Sequence, residues 1–570
     1  METGKQANNQ VGRNFSLSTL WPVSLSTHRV LLWLLPLTFL AIFFFYPLSR
    51  ILALTFNLDV LTPENSRIMY ETVRFTFYQA ILSTLLTLGL GLPSAILFTR
   101  YNFYGKSLLR ALTAVPFMLP TVVVAAGFNA LLGPRGLIHN LFPLSSFSFL
   151  GTLPAILVAH IFYNTTIIIR MVGTALSSLD PKLEHTARSL GADSIRVWWN
   201  VTLPLLRPAL LASSLLVFLF DFTSFGVILL LGGSQFATLE VEIYTQATRF
   251  LNLPLAALLS VIQLICTLIF AILYTRLSAR FTTQLAPRSA QSNLRKPRTM
   301  RECIFVTAFI FLLSSFFLLP LSSLPLRSLF RLEGDRGQRA EVEYGFTTDY
   351  YRELFINRRG SVFYVPPVRA LVNSITYATT TVLLSLLLGF PAALALAKPT
   401  RLEKFLDPLI MLPLGSSSVM LGLGFIITFG SWLTSPWLVP FAHTLAAFPF
   451  VVRTLQPAIA SIPERLRQAA SSLGASPIDV WKTIDFPILR RATLAAATFA
   501  FTISLGEFGA TLLIARPEYP TIPIAIERFL SQPGGLNYGQ AMAMATILMM
   551  LTLISILLIE KLRLPNAGEF

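Results

Sequence analysis

The chain has 570 residues, 54% of them hydrophobic and only 12% charged, with a net charge of +17 and a mean hydropathy of +0.66. Soluble domains are nearer a quarter charged, so this composition excludes a water-soluble globular protein and predicts a chain that faces lipid. The cations sit beside the ends of apolar runs rather than in one patch, so no nucleic-acid partner is expected.

A membrane-crossing helix needs about 20 apolar residues, and about twelve runs meet that length. They begin near Val30, Val73, Leu108, Phe149, Pro204 and Pro254, then near Cys303, Ala370, Phe405, Thr434, Ile488 and Gly539. The first run is too long for a cleaved signal peptide and no small-residue cleavage site follows it. Basic residues gather in alternate loops: Arg100, Lys106 and Arg110, then Lys182, Arg188 and Arg196, and most densely Arg276 to Arg301. Other loops are acidic, as at Asp59 and Glu64 or Glu240 and Glu242. The positive-inside rule therefore predicts both termini in the cytoplasm. Cys266 and Cys303 lie in or beside apolar runs and read as packing residues.

An internal repeat organises these runs. Gly191 lies 283 residues before Gly474, and the same offset pairs His160 with His443, Pro204 with Pro487 and Phe225 with Phe508. Upstream the register shifts, pairing Pro116 with Pro413 and Gly127 with Gly424. Two similarly oriented six-span halves follow. The expected boundaries are a cytoplasmic tail at 1–29, a first half at 30–276, a linker at 277–301, a second half at 302–563 and a tail at 564–570. Within the second half, 327–369 is expected as an extracytoplasmic loop.

The repeat also duplicates a polar stretch between the fourth and fifth spans of each half: "LEHTARSLGADSIRVWWNVTLPLLRP" from Leu183 and "LRQAASSLGASPIDVWKTIDFPILRR" from Leu466. Each reads as a short helix, a glycine turn, a second amphipathic helix and a proline opening the next span. Two equivalent polar elements on one face suit a partner that is itself a dimer. The pattern resembles the cytoplasmic loop of ATP-binding-cassette importer permeases: Glu-Ala-Ala, three residues, Gly, nine residues, Ile-x-Leu-Pro. Here the matching residues are His185, Ala187, Gly191, Ala192, Leu203 and Pro204, then Gln468, Ala470, Gly474, Ala475 and Pro487. The motif's acidic residue is missing from both copies, with Glu184 adjacent in the first.

That resemblance implies an all-α integral membrane protein of type I importer permease fold, in a bacterial cytoplasmic (inner) membrane. It implies two copies of a cytoplasmic ATPase docked on the loops and an extracytoplasmic substrate-binding protein. Length and layout are similar to fused permeases of iron(III) and thiamine importers. "VRFTFYQAILSTLL", "FTSFGVILLLGGSQFATLEVEIYTQ" and "ISLGEFGATLL" most resemble the thiamine type. The expected cargo is thiamine or another small cation, with iron(III) as the alternative.

Asp221 in the fifth span and Glu507 in the eleventh are ionisable groups at membrane depth, which usually face a cavity or a partner. In the repeat Asp221 aligns with Ser504, and Ser224 with Glu507. Residues three apart share a helix face, so each half is expected to place one carboxylate and one serine along the translocation path. No catalytic constellation, metal site or cofactor motif is expected. The string Gly105-Lys106-Ser107 lacks the glycine of a phosphate loop, Arg100 standing in its place, so ATP hydrolysis is assigned to another chain. A secondary transporter of major-facilitator type would carry a Gly-x-x-x-Asp-Arg loop after the second span of each half. "RYNFYGKSLLR" and "KPTRLEKFLD" lack it.

Overall fold

The computed structural model describes residues 25–56, 60–141, 149–282, 294–332, 344–357 and 365–562. Most of the expected tail at 1–29, the tail at 564–570, the linker stretch 283–293 and loop segments 333–343 and 358–364 lie outside them.

Among the described residues, eleven helices are long and apolar enough to cross a bilayer, and a bent pair makes a twelfth. The expected all-α, twelve-span architecture is present. The second span is longer than its apolar run: it starts at Pro63 rather than near Val73 and continues to Arg100. Thr62 caps it by accepting from the Asn65 N–H at 3.1 Å, and Pro63 suits the first turn. Its 38 residues rise roughly 57 Å at 1.5 Å each, so its polar first turns extend past the hydrocarbon.

The third span of each half breaks, where apolar composition predicted continuous helices from Leu108 and Phe405. In the first half Lys106–Met118 ends at an extended Leu119, and Thr121–Leu132 resumes after Pro120. The residue before a proline is pushed out of the α region. In the second half Arg401–Gly415 and Ser418–Trp432 meet at 94°. There Ser417 caps the new helix by accepting from the Met420 N–H at 3.1 Å. One break uses a proline and the other a serine cap, and hydropathy registers neither.

The fifth spans also correct the sequence reading. Pro204 and Pro487 do not open new helices. The helices Ser194–Phe222 and Pro477–Gly506 run continuously from the polar loops into the spans, through π turns at Trp198–Thr202 and Trp481–Asp485. A third π turn, Ala41–Phe45, precedes Pro47. Each π turn ends two residues before its proline, widening the helix where the ring would meet the preceding turn's carbonyl.

The second, fourth and fifth spans of each half pack on one another, but the first spans cross over. Leu25–Leu40 packs on Val368–Ala397 of the second half, and Met300–Leu329 packs on Thr121–Leu132 of the first. Trp33 donates to Glu403 across this exchange at 3.4 Å. Glycines allow the close approach. A Cβ on Gly127 would lie 2.9 Å from the Pro320 carbonyl oxygen, and one on Gly424 would lie 3.0 Å from Pro47 Cβ. Without a hydrophobic drive in lipid, such small-residue crossings supply the packing that holds helices together.

The helix from Leu253 continues to Thr282, beyond the expected end of the first half at 276. On the far side of the linker, Arg295 pairs its backbone with Arg100 and Asn102. Of the 327–369 loop, Phe330–Arg331 and Gly345–Phe346 form a two-stranded antiparallel sheet. The short helix at Asp349–Arg352 brings Tyr350 against Gly539 of the last span.

Candidate translocation site and repeated loops

The two polar loops fold alike. Pro181–Ser189 and Glu464–Ser472 are short helices, each ended by a glycine in the left-handed region, φ +89° at Gly191 and +87° at Gly474. The Gly191 and Gly474 N–H groups donate to Arg188 and Ser471 carbonyls, and Ala192 and Ala475 donate to Ala187 and Ala470. These paired bonds form a Schellman turn and give the alanines of the loop pattern a backbone role. His185 and Gln468 are exposed.

Glu184 and Thr202 join the loop helix to the fifth span, with a Thr202 hydroxyl donating at 2.9 Å, and Arg100 of the second span also binds Glu184. The repeat puts Arg467 and Asp485 at the same two places, and they pair at 2.9 Å. The tie between loop and span survives in both halves with its polarity reversed. Between these ties the loops expose apolar side chains in register: Leu190 (83%) and Leu473 (88%), Ile195 (69%) and Ile478 (64%).

A cavity of about 400 Å³ lies between the halves, lined from the spans and the breaks between them. Asp221, Glu240 and Glu507 line it, with Phe117, Tyr163, Phe220, Phe225 and Phe508. Among the described residues its lining includes no Lys or Arg. Phe225 and Phe508, equivalent in the repeat, meet across the half boundary with ring centroids 5.6 Å apart.

Each half centres its polar cluster on a buried histidine of the fourth span. His160 Nδ1 lies 3.4 Å from Asp221 Oδ1 and Nε2 is 2.9 Å from the Ser224 hydroxyl. His443 Nδ1 is 2.7 Å from the Ser504 hydroxyl and Nε2 is 3.2 Å from Glu507 Oε2. The ring holds one orientation in both halves, while acid and serine exchange places around it.

A family model described as "Binding-protein-dependent transport system inner membrane component" matches residues 87–283 and 385–562, once in each half. The chain belongs to this family. The permease is also similar to a thiamine transport system permease protein of Brucella abortus, 27% identical over 507 residues, spanning 86% of this chain and 88% of the relative. A thiamine transport system permease protein of Escherichia coli is 27% identical, with 87% and 89% covered. A probable ABC transporter permease protein of Sinorhizobium fredii is 26% identical, with 87% and 88% covered. The permease is thus a multi-pass inner-membrane transport subunit of an importer that works with a binding protein.

Of the four pathway candidates named from the sequence, Asp221, Ser224 and Glu507 line the permease cavity and Ser504 does not. The loop residues lie away from it. Sequence reasoning missed Glu240, assigned to an outer loop but only 2% exposed. It sits at the start of a short helix, Leu239–Thr248, and accepts from Gln263 at 2.5 Å and from Ser417 at 2.6 Å. Asn164 was also missed, although it stands four residues after His160 and so shares its helix face. The repeat could not flag it, because Ala447 occupies the equivalent place.

Proposed function

We propose that this permease forms the whole translocation path of an ATP-driven importer for thiamine. The observation that carries the substrate reading is the acid- and aromatic-lined cavity between the halves, which suits a small organic cation. The names of the relatives that match it nearly end to end point the same way. Two copies of a cytoplasmic ATPase would dock on the loops around Gly191 and Gly474, each reading the apolar pair that its loop exposes. Closure of the ATPase pair would draw the loops together. Because each loop helix continues into a fifth span, that motion would reach Asp221 and Glu507 directly. A binding protein would deliver substrate to the opposite face, and both termini would lie in the cytoplasm.

The test is uptake of radiolabelled thiamine and of iron(III) by cells whose own thiamine synthesis and uptake are deleted, complemented with the permease and its neighbouring ATPase and binding-protein genes. Thiamine accumulation that stops on ATP depletion is expected. Iron accumulation without thiamine would overturn the substrate and keep the architecture. Thiamine uptake independent of the ATPase gene would overturn the ATP-driven reading.

A further inference from the structure

The two carboxylates, one from the fifth span of each half, are chemically inequivalent. Glu507 is saturated: Oε1 accepts from the Ala510 N–H at 2.8 Å, and Oε2 accepts from the Thr511 N–H at 3.0 Å and from the Thr511 hydroxyl. It serves as the cap of Gly509–Ile514. Asp221 is different. Its Oδ1 accepts from Asn164 Nδ2 at 2.7 Å, while its Oδ2 takes no hydrogen bond from the described residues although the residue is 0% exposed. Asn164 Oδ1 is likewise buried and without a donor among the described residues. Both residues line the cavity. Two unpaired buried acceptors on side chains that bond each other, one of them a carboxylate, are costly at membrane depth unless something supplies protons or positive charge.

We infer that Asp221 and Asn164 form a binding site for an organic cation within the permease itself, one-sided and built from the first half. The ligand class follows from the lining. The two oxygens can receive an N–H-bearing group. Phe117 and Tyr163, with rings 6.2 Å apart, and Phe220, 5.8 Å from Phe117, offer aromatic faces to a delocalised positive ring. A cavity of about 400 Å³ is within the range that takes a small heterocycle, roughly 300–1,000 Å³. A bare metal ion fits poorly, since no group of three His, Cys, Asp or Glu side chains among the described residues is placed to hold one. The repeat explains the one-sidedness: Ser504 replaces Asp221 and Ala447 replaces Asn164 in the second half. The permease would therefore hold cargo at one point during transfer rather than act as a featureless channel.

The choice of thiamine as probe rests on the proposed function. Equilibrium binding of radiolabelled thiamine to the purified permease–ATPase complex in lipid nanodiscs, without the binding protein, tests the site. Thiochrome, a neutral fused derivative, serves as the uncharged comparison. Wild type should bind thiamine at least tenfold tighter than thiochrome. Asp221→Asn should weaken thiamine binding at least tenfold, and Asp221→Glu, which keeps the charge, should retain more of it than Asp221→Asn. Complex yield and ATPase assembly are recorded for each variant, so that misfolding is separated from loss of the site. Wild-type complex that binds no thiamine, or Asp221→Asn that binds like wild type, overturns the inference. If cells take up thiamine yet binding does not depend on Asp221, the inference falls and the functional reading stands. If Asp221-dependent binding appears without cellular thiamine uptake, the organic-cation site stands and thiamine as cargo falls.

Discussion

Ser417 of the second half donates its hydroxyl to Glu240 of the first at 2.6 Å, in the wall of the cavity. The same serine caps the broken third span, so one side chain joins the halves and fixes a bend. Removing it leaves Glu240 Oε2 short of a donor in a buried setting, a loss of about 1–3 kcal/mol. Ser417→Ala should lower the midpoint of thermal unfolding of the purified complex, and Glu240→Gln with Ser417→Ala should lower it by less than the sum of the single changes. Additive effects in this double-mutant cycle would show that the bond does not couple the halves.

Glu507 invites the opposite experiment from Asp221. Glu507→Gln keeps one acceptor but turns an NH₂ toward the backbone N–H of either Ala510 or Thr511, each an obligate donor. Half of the helix cap and all of its favourable charge are lost, at a cost of about 1–3 kcal/mol. Thermal unfolding should therefore fall more for Glu507→Gln than for Asp221→Asn, although both change a carboxylate to an amide. The reverse order would mean that Glu507 is not the structural member of the pair.

The exchanged first spans give a ranked prediction. Gly127→Ala drives a methyl group to 2.9 Å from a backbone oxygen of Pro320, whereas Gly424→Ala meets the Pro47 side chain at 3.0 Å. Backbone yields less readily than a side chain, and overpacking of this kind costs about 1–3 kcal/mol. Both variants should yield less folded protein by fluorescence-detected size exclusion, Gly127→Ala the lesser yield of the two. Wild-type yields for both would contradict the crossing.

In the loops, Gly191→Val and Gly474→Val place a β-branched residue where φ is near +90°. None of the described residues lies within 4 Å of the added Cβ, so the cost, about 1–2 kcal/mol, is backbone strain. Leu190→Asp and Leu473→Asp leave the turn and change only the exposed face. All four should insert normally, while substrate-stimulated ATP hydrolysis falls sharply and the aspartate variants also lose ATPase in co-purification. Full stimulated hydrolysis in every variant would remove the docking role from these loops.

What the sequence determined by itself was local. Apolar runs set the number of spans because each must satisfy its own backbone hydrogen bonds in lipid, and the constant 283-residue register divided the chain into halves. The loop glycines were legible because a Leu-Gly-Ala turn with left-handed φ is written in adjacent residues. The tertiary structure decided what depends on partners far along the chain: the exchange of first spans, the break in each third span, and the burial of Glu240 beneath Ser417, 177 residues away. It also separated Asp221 from Glu507. The repeat aligned each with a serine of the other half on the same helix face, but whether a carboxylate is open or saturated depends on which donors surround it. Asn164 gives Asp221 one bond from the fourth span, whereas Ala510 and Thr511 fill both oxygens of Glu507 from the turn that follows it.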